Sequence, residues 1–191
     1  MATNVEEVQK LYVAYFSRPA DTAGLNFWTG VLANDHTTGM QQISAAFSQS
    51  AEYRLNYANM DNRGVVDAVY HNLFGRAGET AGVDFWTNAM NTGAVTIDNV
   101  VQAFVSGAQN NDKIVIAGRV AVATSFTEHL DQPNEQTAYS GNAANQIAKG
   151  FIGSIINLQT AASAIDPGVI DAKIAEIVGT PSGMESMHLI A

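Results

Sequence analysis

Apolar residues recur along this chain with the three-to-four spacing of helices, and no stretch alternates convincingly with period two. Val8, Leu11, Tyr12, Tyr15 and Phe16 form the first stripe. Pro19 disfavours helical geometry at Arg18, so that helix is expected to stop there. Asp21 has the chemistry of an N-cap for a second helix, whose inward positions are Leu25, Trp28 and Leu32. Gly24 falls in its first turn, where glycine costs about 1 kcal/mol of helix propensity. Close approach of another backbone is the expected compensation. Asn34-Asp35-His36-Thr37 reads as a loop, and Thr38 with Gln41 as a capping box for a third helix that turns Met40, Ile43 and Phe47 inward.

The same order then recurs. Val66, Val69, Tyr70, Leu73 and Phe74 make a first stripe, Val83, Trp86 and Met90 a second, and Thr96 stands as N-cap before Ile97, Val101 and Phe104. Between the first and second helices lies the repeated stretch itself. Arg18-Pro19-Ala20-Asp21-Thr22-Ala23-Gly24-Leu25-Asn26-Phe27-Trp28 returns as Arg76-Ala77-Gly78-Glu79-Thr80-Ala81-Gly82-Val83-Asp84-Phe85-Trp86, with Trp28 and Trp86 58 positions apart. Phe47 and Phe104 are 57 apart, so one residue is lost near the third helix. Ser50 to Gly64 links the copies, with a turn at Asn59 to Asn62.

Beyond these copies the chain stays helical in pattern but becomes rich in Ala, Ile and Val. Ile116, Val120, Ala123, Phe126 and Leu130 mark a long helix over about Asn111 to Leu130, and Asp131-Gln132-Pro133-Asn134 breaks it. Ile147, Phe151, Ile155 and Leu158 mark the next. Asp166-Pro167 starts a last helix through Ile170, Ile174 and Ile177, closed by Gly179 and Pro181. The expected fold is therefore all-α: a tandem pseudo-repeat of a three-helix module followed by a C-terminal segment of three helices. The repeats occupy residues 1–58 and 59–110, and the segment residues 111–181. Residues 182–191, ending Leu189-Ile190-Ala191, read as a frayed tail or an uncleaved export signal.

Composition narrows the partners. Nine basic against eighteen acidic side chains give a formal net charge of −9, and Lys10, Arg18, Arg54, Arg63, Arg76, Lys113, Arg119, Lys149 and Lys173 are scattered. Phosphate backbones demand clustered bases, so neither nucleic acid nor an anionic membrane is an expected partner. No apolar run approaches the ~18 residues of a membrane span, so no membrane insertion is expected, and Met1 to Tyr12 lacks the pattern of a cleaved secretory signal. Only 14% of residues are charged. A polar, weakly charged surface suits self-association or carbohydrate contact better than electrostatic steering. The absence of cysteine removes disulfides and thiol catalysis.

Catalytic chemistry finds little support. There is no Gly-x-Ser-x-Gly, no phosphate-binding glycine loop, and no metal spacing among His36, His71, His129 and His188. An enzyme would need groups such as Arg18, Asp21 and His36 to converge, so no catalytic residue is assigned. Glu128-His129-x-Asp131 is a weak chelating arrangement at a helix end. No cofactor is expected. Calcium stays open, without a motif, through oxygens near Asp61-Asn62, Asp84 and Asn110-Asn111-Asp112. The repeated residues Arg18, Asp21, Gly24 and Trp28, with Arg76, Glu79, Gly82 and Trp86, have the polar-plus-ring chemistry of a sugar pocket. The stronger reading is structural: helix-start acids, arginines paired with them or covering a helix C-terminus, and inward tryptophans. Tyr53 and Tyr57 are candidate surface contacts for stacking, or else are buried between the copies.

The run Leu11-Tyr12-x-x-Tyr15-Phe16-x-Arg18-Pro19-x-Asp21-x-x-Gly24-Leu25-x-Phe27-Trp28, with Ser50-Ala51-Glu52-Tyr53 after the third helix, resembles the DUF4214 family of bacterial secreted proteins. The second copy departs from it at Ala77, Glu79 and Gly107-Ala108-Gln109, and Gly118-Arg119-Val120-Ala121-Val122-Ala123-x-x-Phe126 looks like the helix that often follows such modules. The resemblance spans roughly residues 8 to 130. It implies export by type I secretion without a cleaved signal, and a place among adhesins and surface-layer (S-layer) proteins, some of which anchor to cell-surface polysaccharide. A fainter likeness in the first helix points to phycobilisome linkers, which are also scaffolds. The calcium-binding nonapeptides of most such relatives are missing here. Together these readings lead to the expectation of a non-catalytic, secreted or cell-surface structural protein that assembles with itself or binds polysaccharide. A monomeric glycan-binding module is the alternative.

Overall fold

The computed structural model describes residues 3–180, and within them every regular element is a helix. The first copy comprises α1 (Asn4–Phe16), α2 (Thr22–Asn34), α3 (His36–Gln49) and the short α4 (Ala51–Tyr57). The second comprises α5 (Asn62–Phe74), α6 (Thr80–Asn91) and α7 (Ile97–Gly107). Then follow α8 (Asn110–His129), α9 (Pro133–Ala138), α10 (Gly141–Gly153), α11 (Leu158–Ala164) and α12 (Pro167–Val178). The expected C-terminal segment of three helices is thus five. Pro133 does not end structure but starts α9 from its first turn, where a missing N–H is harmless. What reads as one stripe from Ile147 to Leu158 is split by a turn that buries Ile155 and exposes Leu158. Residues 182–191 lie outside the described residues.

The repeat is visible in the smallest details. Ser17 closes α1 in the left-handed region at φ 55° and donates its N–H to Val13 O; Gly75 closes α5 at φ 69° and donates to His71 O. Only the second position requires glycine sterically, because a Cβ at Gly75 would stand 2.8 Å from the Arg119 guanidinium. The linker is not a plain connection: α4 follows the third helix of copy one as the start of α8 follows that of copy two. At α3 the helix cap differs from the sequence reading. Asp35, not Thr38, caps α3, accepting from the N–H groups of Thr37 and Thr38, which leaves no room for a four-residue loop.

Two apolar clusters form the interior. One gathers the aromatic stripes of both copies, from Tyr12, Tyr15 and Phe16 to Phe74 and Phe104. The other gathers Val122, Phe126, Phe151, Ile170 and Ile174 of the C-terminal helices. Helices α1 and α8 serve both, since Val13 belongs to the second cluster while Ile116 and Val120 belong to the first. A closed triangle of buried hydrogen bonds fastens these two helices to the first corner. Gln9 Nε2 donates to Thr127 Oγ1 at 2.8 Å, Thr127 Oγ1 donates to Ala20 O at 2.7 Å, and Ala20 N donates to Gln9 Oε1 at 2.9 Å.

Candidate functional site

Each repeated stretch folds into the corner between two helices, and its arginine reaches forward to the helix that follows the third. In copy one, Asp21 caps α2 by accepting from Gly24 N at 2.8 Å and makes no ion pair with Arg18. Arg18 instead makes a two-pronged bond to Glu52 of α4, Nε to Oε1 at 2.9 Å and Nη2 to Oε2 at 2.7 Å. Its guanidinium lies over the rings of Tyr12, Phe16 and Tyr139 at 5.2, 5.6 and 5.7 Å. Burial works against its charge, but Tyr139 and Glu52 outweigh that and raise its pKa. Tyr139, from the α9–α10 junction, donates its hydroxyl to Pro19 O at 2.8 Å and seals the corner.

Copy two is built alike and left open. Arg76 pairs with Asp112 in the first turn of α8, Nε to Oδ1 at 2.9 Å and Nη2 to Oδ2 at 2.7 Å, and lies over Tyr70 and Phe74 at 5.2 and 5.9 Å. Among the described residues no third ring covers it, and its side chain is 39% exposed against 10% for Arg18. Glu79 makes no capping bond to α6. Its carboxylate accepts from the Tyr70 hydroxyl at 2.7 Å and pairs with Arg76 at 2.8 Å, which lowers its pKa, the tyrosine bond contributing most. The result is a pocket of about 450 Å³ lined by Tyr70, Arg76, Glu79, Asn110, Asn111 and Asp112. Asn110 holds φ 43° at its rim.

The glycines of the two corners are not equivalent. The neighbour of Gly24 is a side chain, not the backbone expected from sequence. An added Cβ would run into the Tyr12 hydroxyl, a buried group whose pKa burial pushes up to about 12. A Cβ at Gly82 would meet open space. Gly24→Ala is therefore expected to lower stability by about 1–3 kcal/mol, and Gly82→Ala to raise it by about 0.5–1 kcal/mol. Urea unfolding of the two variants checks the contrast; equal changes would contradict the geometry.

The remaining sequence candidates fall as follows. Trp28 and Trp86 are half-buried, set edge-on to Phe47 and Phe104 at 5.8 and 5.7 Å. Tyr57 is not a surface contact. It is buried, and its hydroxyl donates to Tyr15 O at 2.7 Å. Tyr53 is half-buried against it, ring centroids 4.5 Å apart. The exposed aromatics are Phe27 and Phe85, 62% and 63% accessible, each braced by the neighbouring tryptophan ring at 4.7 and 4.9 Å. Their 58-residue spacing in the motif was the available signal. Arg18, Asp21 and His36 do not converge: His36 is exposed, in a groove between α3 and α7. The pairing of Glu52 and Asp112 with the two arginines escaped the sequence reading because the partners lie 34 and 36 positions away, although an acid in the first turn of a helix marks both. The acids among the calcium candidates also make structural contacts. Asp61 caps α5, Asp84 pairs with Arg63 and Asp112 with Arg76, and His129 of the weak chelating arrangement pairs with Asp171. Among the described residues no group of three or more His, Asp or Glu could hold a metal ion.

A family model described as "Domain of unknown function (DUF4214)" matches residues 2–57 and again residues 44–114. Neither a curated protein nor a solved structure matches the chain.

Proposed function

The chain belongs to the DUF4214 family, and on that premise we propose that it is a non-catalytic structural protein of the bacterial exterior, which assembles with itself or anchors to cell-surface polysaccharide. One observation carries this reading. A single folded unit presents the same braced aromatic, Phe27 and Phe85, at two equivalent places, with 62% and 63% of each residue in solvent. A large ring held rigid and exposed loses little conformational freedom on contact, and two of them on one body allow a protein to bridge neighbours. Only 14% of the chain's residues are charged, which suits close packing of like surfaces. The same rings would serve as platforms for the C–H faces of sugars, and that favours the second reading, a monomeric glycan-binding module.

Electron microscopy of the concentrated protein, with and without calcium, separates these. Filaments or sheets are the expected result. The Phe27→Ser/Phe85→Ser double variant should lose them while keeping its unfolding free energy within about 1 kcal/mol of the parent, as exposed substitutions do. A persistent monomer that co-sediments with surface polysaccharide would favour the glycan module. A monomer that does neither would refute both.

A further inference from the structure

The two corners differ in one respect that points to a partner. In the first, the α9–α10 segment supplies three things. These are the Tyr139 ring over Arg18, the Tyr139 hydroxyl on Pro19 O, and the Lys149 ammonium 4.0 Å from Glu52 Oε1. The charges of that corner then cancel, with Arg18 and Lys149 against Glu52 and Asp21. The second corner has Arg76 against Glu79 and Asp112, one positive charge against two negative. Among the described residues no lysine pairs with either acid. Ala77 O, the counterpart of Pro19 O, accepts from Arg76 Nη1 at 3.1 Å, and a carbonyl has a second lone pair to offer. The open side of Arg76 faces the pocket with Tyr70, Asn110 and Asn111.

We propose that this second corner is a docking site for a segment of a different polypeptide that presents a tyrosine in the turn just before a helix and, as Lys149 follows Tyr139, a lysine on that helix in its third turn. The tyrosine ring would cover the free face of the Arg76 guanidinium, its hydroxyl would donate to Ala77 O, and the lysine would neutralise the excess acid of Glu79 and Asp112. The occupant is not a second folded copy of this chain. Tyr12, Tyr15, Tyr57 and Tyr139 are buried in it, and Tyr53 and Tyr70 are half-buried in its own packing. The inference holds whether or not the chain forms assemblies, because it uses a different surface from Phe27 and Phe85.

The internal precedent supplies the probe. A peptide of residues 131–153, held helical by a lactam between Asn142→Glu and Gln146→Lys (exposed positions one turn apart), is titrated into the full-length protein by calorimetry. Saturable one-to-one binding is expected, weakened about tenfold or more by Arg76→Ala and by Glu79→Lys in the protein, and by Tyr139→Ala in the peptide. The two protein variants alter exposed or half-exposed groups and leave the Arg18 corner intact, so displacement of the protein's own segment would not respond to them. A flat titration up to about 1 mM peptide, or affinity unchanged in both protein variants, overturns the proposal. So does an oligosaccharide that binds this pocket where the peptide does not.

Discussion

Replacing Arg119 with methionine is expected to destabilise the protein by about 3–5 kcal/mol, a fall of roughly 10 °C in Tm for a chain of this size. Arg119 is completely buried, and no carboxylate is among its partners. Its guanidinium donates instead to four backbone carbonyls: Ile155 O at 2.9 Å, His71 O at 2.9 Å, Asn72 O at 2.5 Å and Gly153 O at 3.2 Å. His71 and Asn72 lie in the last turn of α5, Gly153 ends α10 and Ile155 sits in the turn beyond it, where helix carbonyls run out of partners and carry the negative end of the dipole; His71 O also accepts from Gly75 N. One side chain thus closes two helices and ties copy two to the C-terminal segment. Burial lowers its pKa to about 10, still far above neutral pH, so the group is charged.

Methionine would match the aliphatic stem and leave the carbonyls of Asn72, Gly153 and Ile155 without this donor in the interior, while His71 O keeps Gly75 N; each lost bond is a desolvation cost of about 1–3 kcal/mol. Lysine would keep the charge but offers three donors from a single point instead of a planar fork, so Arg119→Lys should recover only part of the loss. Urea unfolding at pH 7 is the measurement. A loss below about 1 kcal/mol for the methionine variant would show that the four bonds do not hold the two helix ends.

Arg18→Met is expected to cost about 3 kcal/mol, whereas the matching Arg76→Met should cost about 1 kcal/mol or less. The sequence context is nearly the same and the ion pairs have the same two-pronged geometry, so the difference lies in solvent. Removing Arg18 strands Glu52 in a corner sealed by Tyr139, with only Lys149 at 4.0 Å to oppose it. Removing Arg76 leaves Glu79 to water and leaves Asp112, 14% exposed, in the first turn of the long α8, where the positive end of the helix offsets its charge. Glu52→Gln added to Arg18→Met should therefore recover about 1–2 kcal/mol, and Asp112→Asn added to Arg76→Met very little. The test is a pair of double-mutant cycles by denaturant unfolding. Equal costs in the two copies would contradict the asymmetry on which the docking proposal stands.

The sequence by itself determined the helical class, the duplication and the caps that depend only on neighbours. Stripes such as Val8 to Phe16 and Val66 to Phe74 are local in periodicity, and Asp21 and Asp166 cap the residues next to them. What depended on distant residues was not legible. Arg119 lies on the same face as Ile116, Val120 and Ala123, and a base on an apolar face was the one sign of its role. Its partners are carbonyls from 34 to 48 positions away, which no side-chain pattern encodes. Tyr139, a lone aromatic beside a predicted chain break, gave no hint that it crosses 120 positions to reach Pro19. Periodicity likewise placed Tyr57 at the surface or the interior with equal ease, and only the packing of α4 against α1 put it inside. The two motif copies carry almost the same local information, so both fold into the same corner. Only the tertiary structure decided that α9 and α10 fold back over one of them, because burial depends on what the rest of the chain covers.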